Sequence, residues 1–166
     1  MSPSTLSLRS ASQADIPQIH ALAVRIWNAH YPAIIGQQQV DYMLGKMYSP
    51  AALAQQMEEG QTFYLVIEDD QAIGYVAINA QGEKAYFLNK FYVDSQKQSK
   101  GIGSRVLQML LAQYPNWETL RLTVNRQNYT AINFYFKNGF VIEKVIDMPI
   151  GEGYVMDDFQ MIKRKA

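Results

Sequence analysis

The chain has 166 residues, of which 48% are hydrophobic and 18% are charged, a composition that is typical of one globular domain and excludes a disordered chain. Its 15 Lys and Arg balance its 15 Asp and Glu, which argues against a protein that binds the nucleic-acid backbone. Because it has no cysteine, disulfides, thiolate metal sites and a cysteine nucleophile are excluded.

The first half of the sequence predicts one strand followed by helices. No apolar run resembles a signal peptide or reaches the ~18 residues of a membrane span, so we expect a cytoplasmic protein without membrane partners. Alternating polarity predicts a strand at residues 5–9. Apolar residues at helical spacing predict an amphipathic helix over 16–29, which ends before Pro32. Residues 37–59 continue as helix, broken at Pro50.

The second half predicts strands and helices in alternation. In chain order these are three strands, a helix, a strand, a helix and two strands, at residues 63–67, 73–78, 85–93, 101–114, 120–124, 128–138, 140–146 and 154–162. The first three strands are separated by short polar turns and therefore form an antiparallel meander. We expect a single domain over residues 1–166, with a mixed, mostly antiparallel α/β sheet of about seven strands and helices on both faces.

One segment, residues 91–105, has the pattern of an anion-binding site. It runs from an apolar strand through a polar loop into a helix that begins at Gly101 and Gly103. The first N–H groups of a helix lack intrahelical acceptors and carry the positive end of its dipole, so they can bind a phosphate. Lys97 and Lys100 add positive charge nearby. The P-loop and Rossmann patterns are absent, and a plain glycine turn with a basic rim is the alternative.

Two motifs resemble those of the GNAT superfamily of N-acyltransferases. Residues 98–103, Q-S-K-G-I-G, fit the acyl-CoA signature Q/R-x-x-G-x-G/A, and residues 125–140 fit N-x-x-N-x-x-A-x-x-F-Y-x-x-x-G-F. The predicted order of elements agrees with the family's layout over nearly the whole chain. The resemblance implies a GNAT-like fold and an acetyltransferase that uses acetyl-CoA as co-substrate, without a metal.

The resemblance also implies roles for individual residues. Those assigned to acetyl-CoA binding are Phe91, Tyr92, Val93, Gln98, Ser99, Lys100, Gly101, Ile102, Gly103, Ser104, Asn125, Asn128, Ala131 and Tyr135. The amides of residues 98–104 would hold the pyrophosphate, and residues 91–93 would pair with the pantetheine arm as an added strand. A backbone N–H near Tyr92 or Val93 would stabilise the oxyanion.

Helical spacing supports the second motif independently. Asn128, Ala131 and Tyr135 are three and four residues apart and therefore share one helix face. The resemblance implies that Tyr135 is the general acid that protonates the departing thiolate. The alternative is an aromatic core cluster, and for Phe136 and Phe140 that interpretation is preferred.

The general base is not evident from the sequence. Asn89 stands where many relatives have a glutamate, and an amide cannot accept the proton of the amine. Asp157, Asp158 and Glu152 are candidates, and a water chain is the alternative. The two aspartates are equally consistent with a solvated strand edge that discourages association between sheets.

Aromatic and acidic residues predict the acceptor site. The segment from Trp27 to Tyr48 would form one wall and the turn 148–154 the other, which suits a small cationic amine. The predicted substrate-binding residues are Trp27, His30, Tyr31, Asn89, Tyr154, Asp157 and Asp158. A short likeness of residues 153–159 to bacterial polyamine acetyltransferases supports this acceptor. With only two isolated histidines, we expect no metal site.

Other functions remain compatible with these patterns. The acceptor could be a protein N-terminus or a lysine instead of a small amine. The missing strand glutamate also fits a non-catalytic module that binds acyl-CoA, and a generic nucleotide-binding domain is a third possibility. We expect a monomer or a homodimer without nucleic-acid partners.

Overall fold

The computed structural model of the protein describes residues 5–94 and 101–166, and these form seven β-strands and six α-helices. Their bounds are β1 Leu6–Ala11, α1 Ile16–His30, α2 Pro32–Ile35, α3 Gln37–Tyr48, α4 Pro50–Glu58, β2 Thr62–Glu68, β3 Gln71–Ala80, β4 Ala85–Val93, α5 Ile102–Ala112, β5 Thr119–Asn125, α6 Tyr129–Lys137, β6 Phe140–Gly151 and β7 Tyr154–Arg164. The strands form one sheet in the order β1-β2-β3-β4-β5-β7-β6. Only β4 and β5 pair in parallel among the pairs with an assigned register in these residues. The predicted mixed, mostly antiparallel sheet of seven strands is confirmed.

The described chain divides into two compact units. The first contains β1 to β3, the end of β4 and helices α1 to α5. The second contains the start of β4, strands β5 to β7 and helix α6. That the whole chain is a single domain stays a prediction.

The helices of the first unit follow from local sequence rules. The predicted apolar stripe of α1 is buried throughout, at Ile16, Ile19, Leu22, Ala23 and Ile26. The predicted break between α3 and α4 is also confirmed. There, the Ser49 hydroxyl accepts a hydrogen bond from the Ala52 N–H at 3.2 Å, and Pro50 occupies the first helical position.

In the same unit, strand β3 comes very close to the end of β4. A Cβ atom on Gly74 would overlap the main-chain oxygen of Tyr92 and lie 3.0 Å from the Cα of Val93. The next residue of the chain, Asp94, donates its backbone N–H to the carbonyl of Ile73 at 2.6 Å. The end of β4 is therefore fixed by main-chain contacts that only a glycine at position 74 allows.

In the second unit, strand β7 lies between β5 and β6. Asp158 is opposite Asn125 on β5 and opposite Ile146 on β6. The interpretation of Asp157 and Asp158 as a solvated strand edge is therefore wrong, because both strand edges of β7 are paired.

The predicted turn at residues 148–154 is also wrong for most of its length. Strand β6 continues to Gly151, and only Glu152 and Gly153 form the turn, with φ of 54° and 79°. Two consecutive positive φ angles are typical of the tight turns that join antiparallel strands.

Candidate active site

The end of β4 is held in place within the first unit. Phe91 and Tyr92 are half-buried and Val93 is buried. The carboxylate of the following Asp94 forms an ion pair with Arg25 of α1 at 2.9 Å. The strand end that the resemblance assigns to the pantetheine arm therefore has a defined position in this unit.

Helix α5 begins in a way that suits an anion. Its N-cap is Gly101, with a left-handed φ of 81°, and its first turn contains no acidic residue. Ile102 is buried, while Gly103 and Ser104 are half-buried. The N–H groups of this turn have no intrahelical acceptors. Gln98, Ser99 and Lys100, together with Lys97, lie outside the described residues.

The second motif forms the start and the buried face of α6 in the second unit. Asn128 is the N-cap, and its side-chain oxygen accepts a hydrogen bond from the Ala131 N–H at 3.4 Å. Tyr135 is 8% exposed, and its ring meets those of Phe134 and Phe140 edge to face at 5.4 Å and 5.3 Å. The predicted common face is therefore buried or half-buried.

The aromatic alternative for α6 is correct only in part. Phe140 is 1% exposed and belongs to the core, as predicted. Phe136 is 46% exposed, so its assignment to the core is wrong. Its position in the sequence gave no indication of which side of α6 would be covered.

Asn125 ends β5, and its side-chain oxygen accepts the Gln127 N–H at 2.8 Å.

The predicted acceptor wall is a packed aromatic cluster in the first unit, formed by Trp27, Tyr31, Tyr48, Tyr75 and Tyr92. The Trp27 Nε1–H donates to the Tyr75 hydroxyl at 3.2 Å, and the Trp27 and Tyr31 rings lie 4.3 Å apart. Burial raises the pKa of Tyr48 and of Tyr75 well above its usual value, so both phenols stay neutral.

The two ends of this cluster differ in exposure. Trp27 and Tyr31 are buried, whereas Tyr92 and the adjoining His30 are half-buried. Tyr92 is therefore the member of the cluster that is best placed to contact a ligand. Tyr75 was not predicted from the sequence, although it is a tyrosine within the aliphatic run of β3.

Lys90 was also missed by the sequence analysis. It is 4% exposed, and its Nζ lies 5.5 Å from the ring centre of Tyr48 and 5.4 Å from that of Phe63. The Gln61 side-chain oxygen accepts from Nζ at 3.3 Å. Burial lowers the pKa of Lys90 to about 8. In the sequence, the indication of an unusual site was a lysine within the apolar strand β4.

The predicted acidic residues of β7 lie in different surroundings. The Asp157 side chain is 61% exposed and lies 3.7 Å from Arg126. Asp158 is 4% exposed, and burial raises its pKa to about 6 against the opposing charge of Arg126. Only Asp158 therefore combines a buried position with a carboxyl group that titrates near neutral pH.

The remaining predicted residues of the second unit carry less information. Tyr154 and Asn89 are half-buried, and the Asn89 Nδ2 donates to the Phe87 carbonyl at 3.4 Å. Glu152 lies in the β6–β7 turn.

Within the described ranges, no group of three or more His, Asp or Glu side chains could hold a metal ion. No helix among the same residues has the length and hydropathy needed to cross a membrane.

Comparison with known proteins agrees with this architecture. The model of a family described as "Acetyltransferase (GNAT) domain" matches residues 33–146. The chain is 25% identical over 147 residues to the spermidine N(1)-acetyltransferase of Thermoplasma acidophilum, a match that covers 84% of this chain and 90% of that protein.

Two solved structures share the fold. The PaiA N-acetyltransferase of Thermoplasma acidophilum, in complex with coenzyme A, has a TM-score of 0.79 at 23% identity, with 97% of this chain and 99% of that chain covered. An acetyltransferase of Salmonella typhimurium that modifies the N-terminal serine of ribosomal protein L7/L12 has a TM-score of 0.70 at 18% identity, with 98% and 96% covered. The match of the family model over most of the chain shows that this protein belongs to the GNAT family of acetyltransferases.

Proposed function

We propose that this protein transfers the acetyl group of acetyl-CoA to a primary amine of a small, cationic molecule. The observation that carries the proposal is α6, where Asn128 caps the helix and the buried Tyr135 lies on the same face, as the family motif requires. The similarity to a spermidine N(1)-acetyltransferase supports a cationic acceptor. The cytoplasmic location and the monomeric or homodimeric state stay predictions from the sequence.

The residues present fit acetyl-CoA. The first turn of α5, with Gly101 as its N-cap and no acidic residue, suits the pyrophosphate. The main chain of Tyr92 and Val93 would hold the pantetheine arm, and Gln98, Ser99 and Lys100 belong to the same motif outside the described residues. When bound, acetyl-CoA supplies an acetyl thioester that an amine can attack directly.

The chain's own groups would then position the reactants and move protons. A backbone N–H near Tyr92 or Val93 stabilises the negative charge that develops on the carbonyl oxygen. The Tyr135 hydroxyl donates a proton to the departing sulfur, as a general acid does. No covalent enzyme intermediate is needed.

The variant Tyr135→Phe tests this role. We expect kcat to fall by about 10²- to 10⁴-fold, the usual contribution of a general acid. Coenzyme A binding should be kept, because the ring contacts with Phe134 and Phe140 do not involve the hydroxyl. Free thiol release is followed with acetyl-CoA and a panel of polyamines, amino acids, aminoglycosides and short peptides.

Tyr129→Phe is the matched control, because Tyr129 lies on the same helix and is 68% exposed. Its turnover should equal that of the unmodified protein. Wild-type turnover by Tyr135→Phe would remove Tyr135 from the acid role. Coenzyme A binding without thiol release from any amine or peptide would favour a non-catalytic module, whereas release with peptides alone would identify a protein acceptor.

A further inference from the structure

Asp158 is a buried carboxyl group on β7, an interior strand of the second unit. It is 4% exposed, whereas the side chain of its neighbour Asp157 is 61% exposed. Successive side chains of a strand point to opposite faces, so the two aspartates face different surroundings. Asp158 shares its face with Asn125, the last residue of β5, which is directly opposite it in the register.

The carboxylate of Asp158 accepts no hydrogen bond within the part of the chain that the structure describes. The nearby cation, Arg126, uses its N–H groups elsewhere. They donate to the carboxylate of Asp147 at 2.8 Å and to the main-chain oxygens of Ile146 and Asp158 at 3.2 Å and 3.1 Å. A carboxylate with so little exposure and no hydrogen bond from the described residues is costly, and an ammonium group of a ligand would offset that cost.

The charges that act on Asp158 are those of Arg126 and Asp157, and the paired strand β6 carries the exposed Lys144 and Asp147. Arg126 favours the carboxylate and Asp157 opposes it, while burial has the largest effect and raises the pKa of Asp158 to about 6. Asn125, on the β5 side, is neutral. The group is therefore mainly ionised at neutral pH and can still accept a proton, as a general base must.

We propose that Asp158 binds the ammonium group of the acceptor and accepts its proton before the amine attacks the acetyl group. This inference rests on the proposed function and deepens it, because it assigns the acceptor molecule a single anionic anchor for one primary ammonium group. Asp157 does not share this role, since it is exposed and lies beside Arg126.

The proton and bond balance is complete. The ammonium group loses one proton to Asp158, and the nitrogen lone pair forms the C–N bond with the acetyl carbon. The C–S bond breaks, and the sulfur takes the proton of Tyr135. The second proton lost by the nitrogen returns to Tyr135 through solvent, and Asp158 releases its proton to water. One proton is released for each amine acetylated.

The test compares Asp158→Asn with the matched control Asp157→Asn. With an alkylamine, we expect Asp158→Asn to lower kcat/KM by about 10²- to 10⁴-fold and to abolish the acid limb of its pH profile. With hydroxylamine, which is largely neutral at pH 7, turnover above the uncatalysed reaction should approach that of the wild type. Asp157→Asn should leave the plateau rate with both substrates unchanged and move the acid limb only slightly, to lower pH, because the Asp157 charge has the smallest of the three effects on the pKa of Asp158.

Heat protection by coenzyme A shows whether each variant folds and binds the co-substrate. An Asp158→Asn protein with the wild-type rate and pH profile for the alkylamine would overturn the inference and leave the proposed function intact. An equal loss with hydroxylamine and the alkylamine would also overturn it, because a general distortion of the site, and not the loss of proton transfer, would then explain the lower rate. A wild-type protein that releases no thiol with any amine would overturn the proposed function and this inference together.

Discussion

Lys90 in the first unit and Asp158 in the second are both ionisable, both on strands and both 4% exposed. The Lys90 ammonium lies over the faces of two aromatic rings and donates to an amide oxygen. The Asp158 carboxylate accepts no hydrogen bond from the described residues. The contrast is between a buried charge that neighbouring groups partly compensate and a buried carboxylate for which we propose the acceptor's ammonium group as partner.

Burial moves both groups toward their neutral forms. It lowers the pKa of Lys90 to about 8 and raises that of Asp158 to about 6. Each shift makes the stability of the fold depend on pH, in opposite directions. Stability measurements can therefore test the comparison without any substrate.

The largest stability effect is expected for Asp158→Asn. The pKa of Asp158 rises from 3.8 to about 6 on folding, so the folded state binds more protons and its stability falls as pH rises between these values. A shift of about two units corresponds to about 3 kcal/mol. In denaturant unfolding, the variant should exceed the wild type by up to this amount at about pH 7 and hardly at all at about pH 4.

For this measurement, Asp157→Asn again serves as the control, and it should show little gain because its side chain is exposed. A stabilisation by Asp158→Asn that is the same at both pH values would show that Asp158 does not titrate between them.

A smaller gain is expected for Lys90→Met. The pKa of Lys90 falls from 10.5 to about 8 on folding, so the folded state loses stability as pH falls between these values. The cost of about 3 kcal/mol is partly offset by cation–π contacts worth roughly 0.5–2 kcal/mol each. We expect a net gain of about 1 kcal/mol at neutral pH in denaturant unfolding, with turnover kept.

The gain from Lys90→Met should shrink as the pH approaches about 10, because the wild-type lysine is then largely neutral. A loss of several kcal/mol instead would mean that the two rings and Gln61 stabilise the ammonium more strongly than burial penalises it.

The smallest effect is expected for Arg126→Gln. Arg126 lowers the pKa of Asp158, so its removal should move the acid limb of the pH–rate profile to higher pH. Stability should fall by about 1 kcal/mol, because the ion pairs with the exposed Asp147 and Asp157 contribute little and the two main-chain hydrogen bonds of Arg126 are weakened. An unchanged limb would show that the charge of Arg126 does not reach the group that titrates.

The sequence predicted those features that depend on neighbouring residues. The apolar stripe of α1, the break before Pro50 and the helix that begins near residue 128 each follow from a few adjacent positions. The true length of β6 could not be predicted in this way, because Pro149 and Gly151 resemble turn residues. Pairing of Pro149 with Val155 on β7 overrides that local preference on an edge strand.

The candidate site shows the same division. The common helix face of Asn128, Ala131 and Tyr135 follows from helical spacing, which is local, whereas their roles are what the family resemblance implies. The burial of Lys90 and the different surroundings of Asp157 and Asp158 depend on strands that are distant in the sequence. A pair of adjacent aspartates therefore gave no indication of which one is enclosed.

Because Gly74 lies against the main chain of Tyr92 and Val93, the residue type at position 74 decides whether β4 can end as it does here. A chain with any larger residue at the matching position cannot keep the Tyr92 carbonyl where it is here. Relatives can therefore be sorted by this one position into those that end β4 as this protein does and those that must end it differently. That sorting requires only a sequence, and it marks the relatives in which the end of β4, the edge that we propose for the pantetheine arm, has changed.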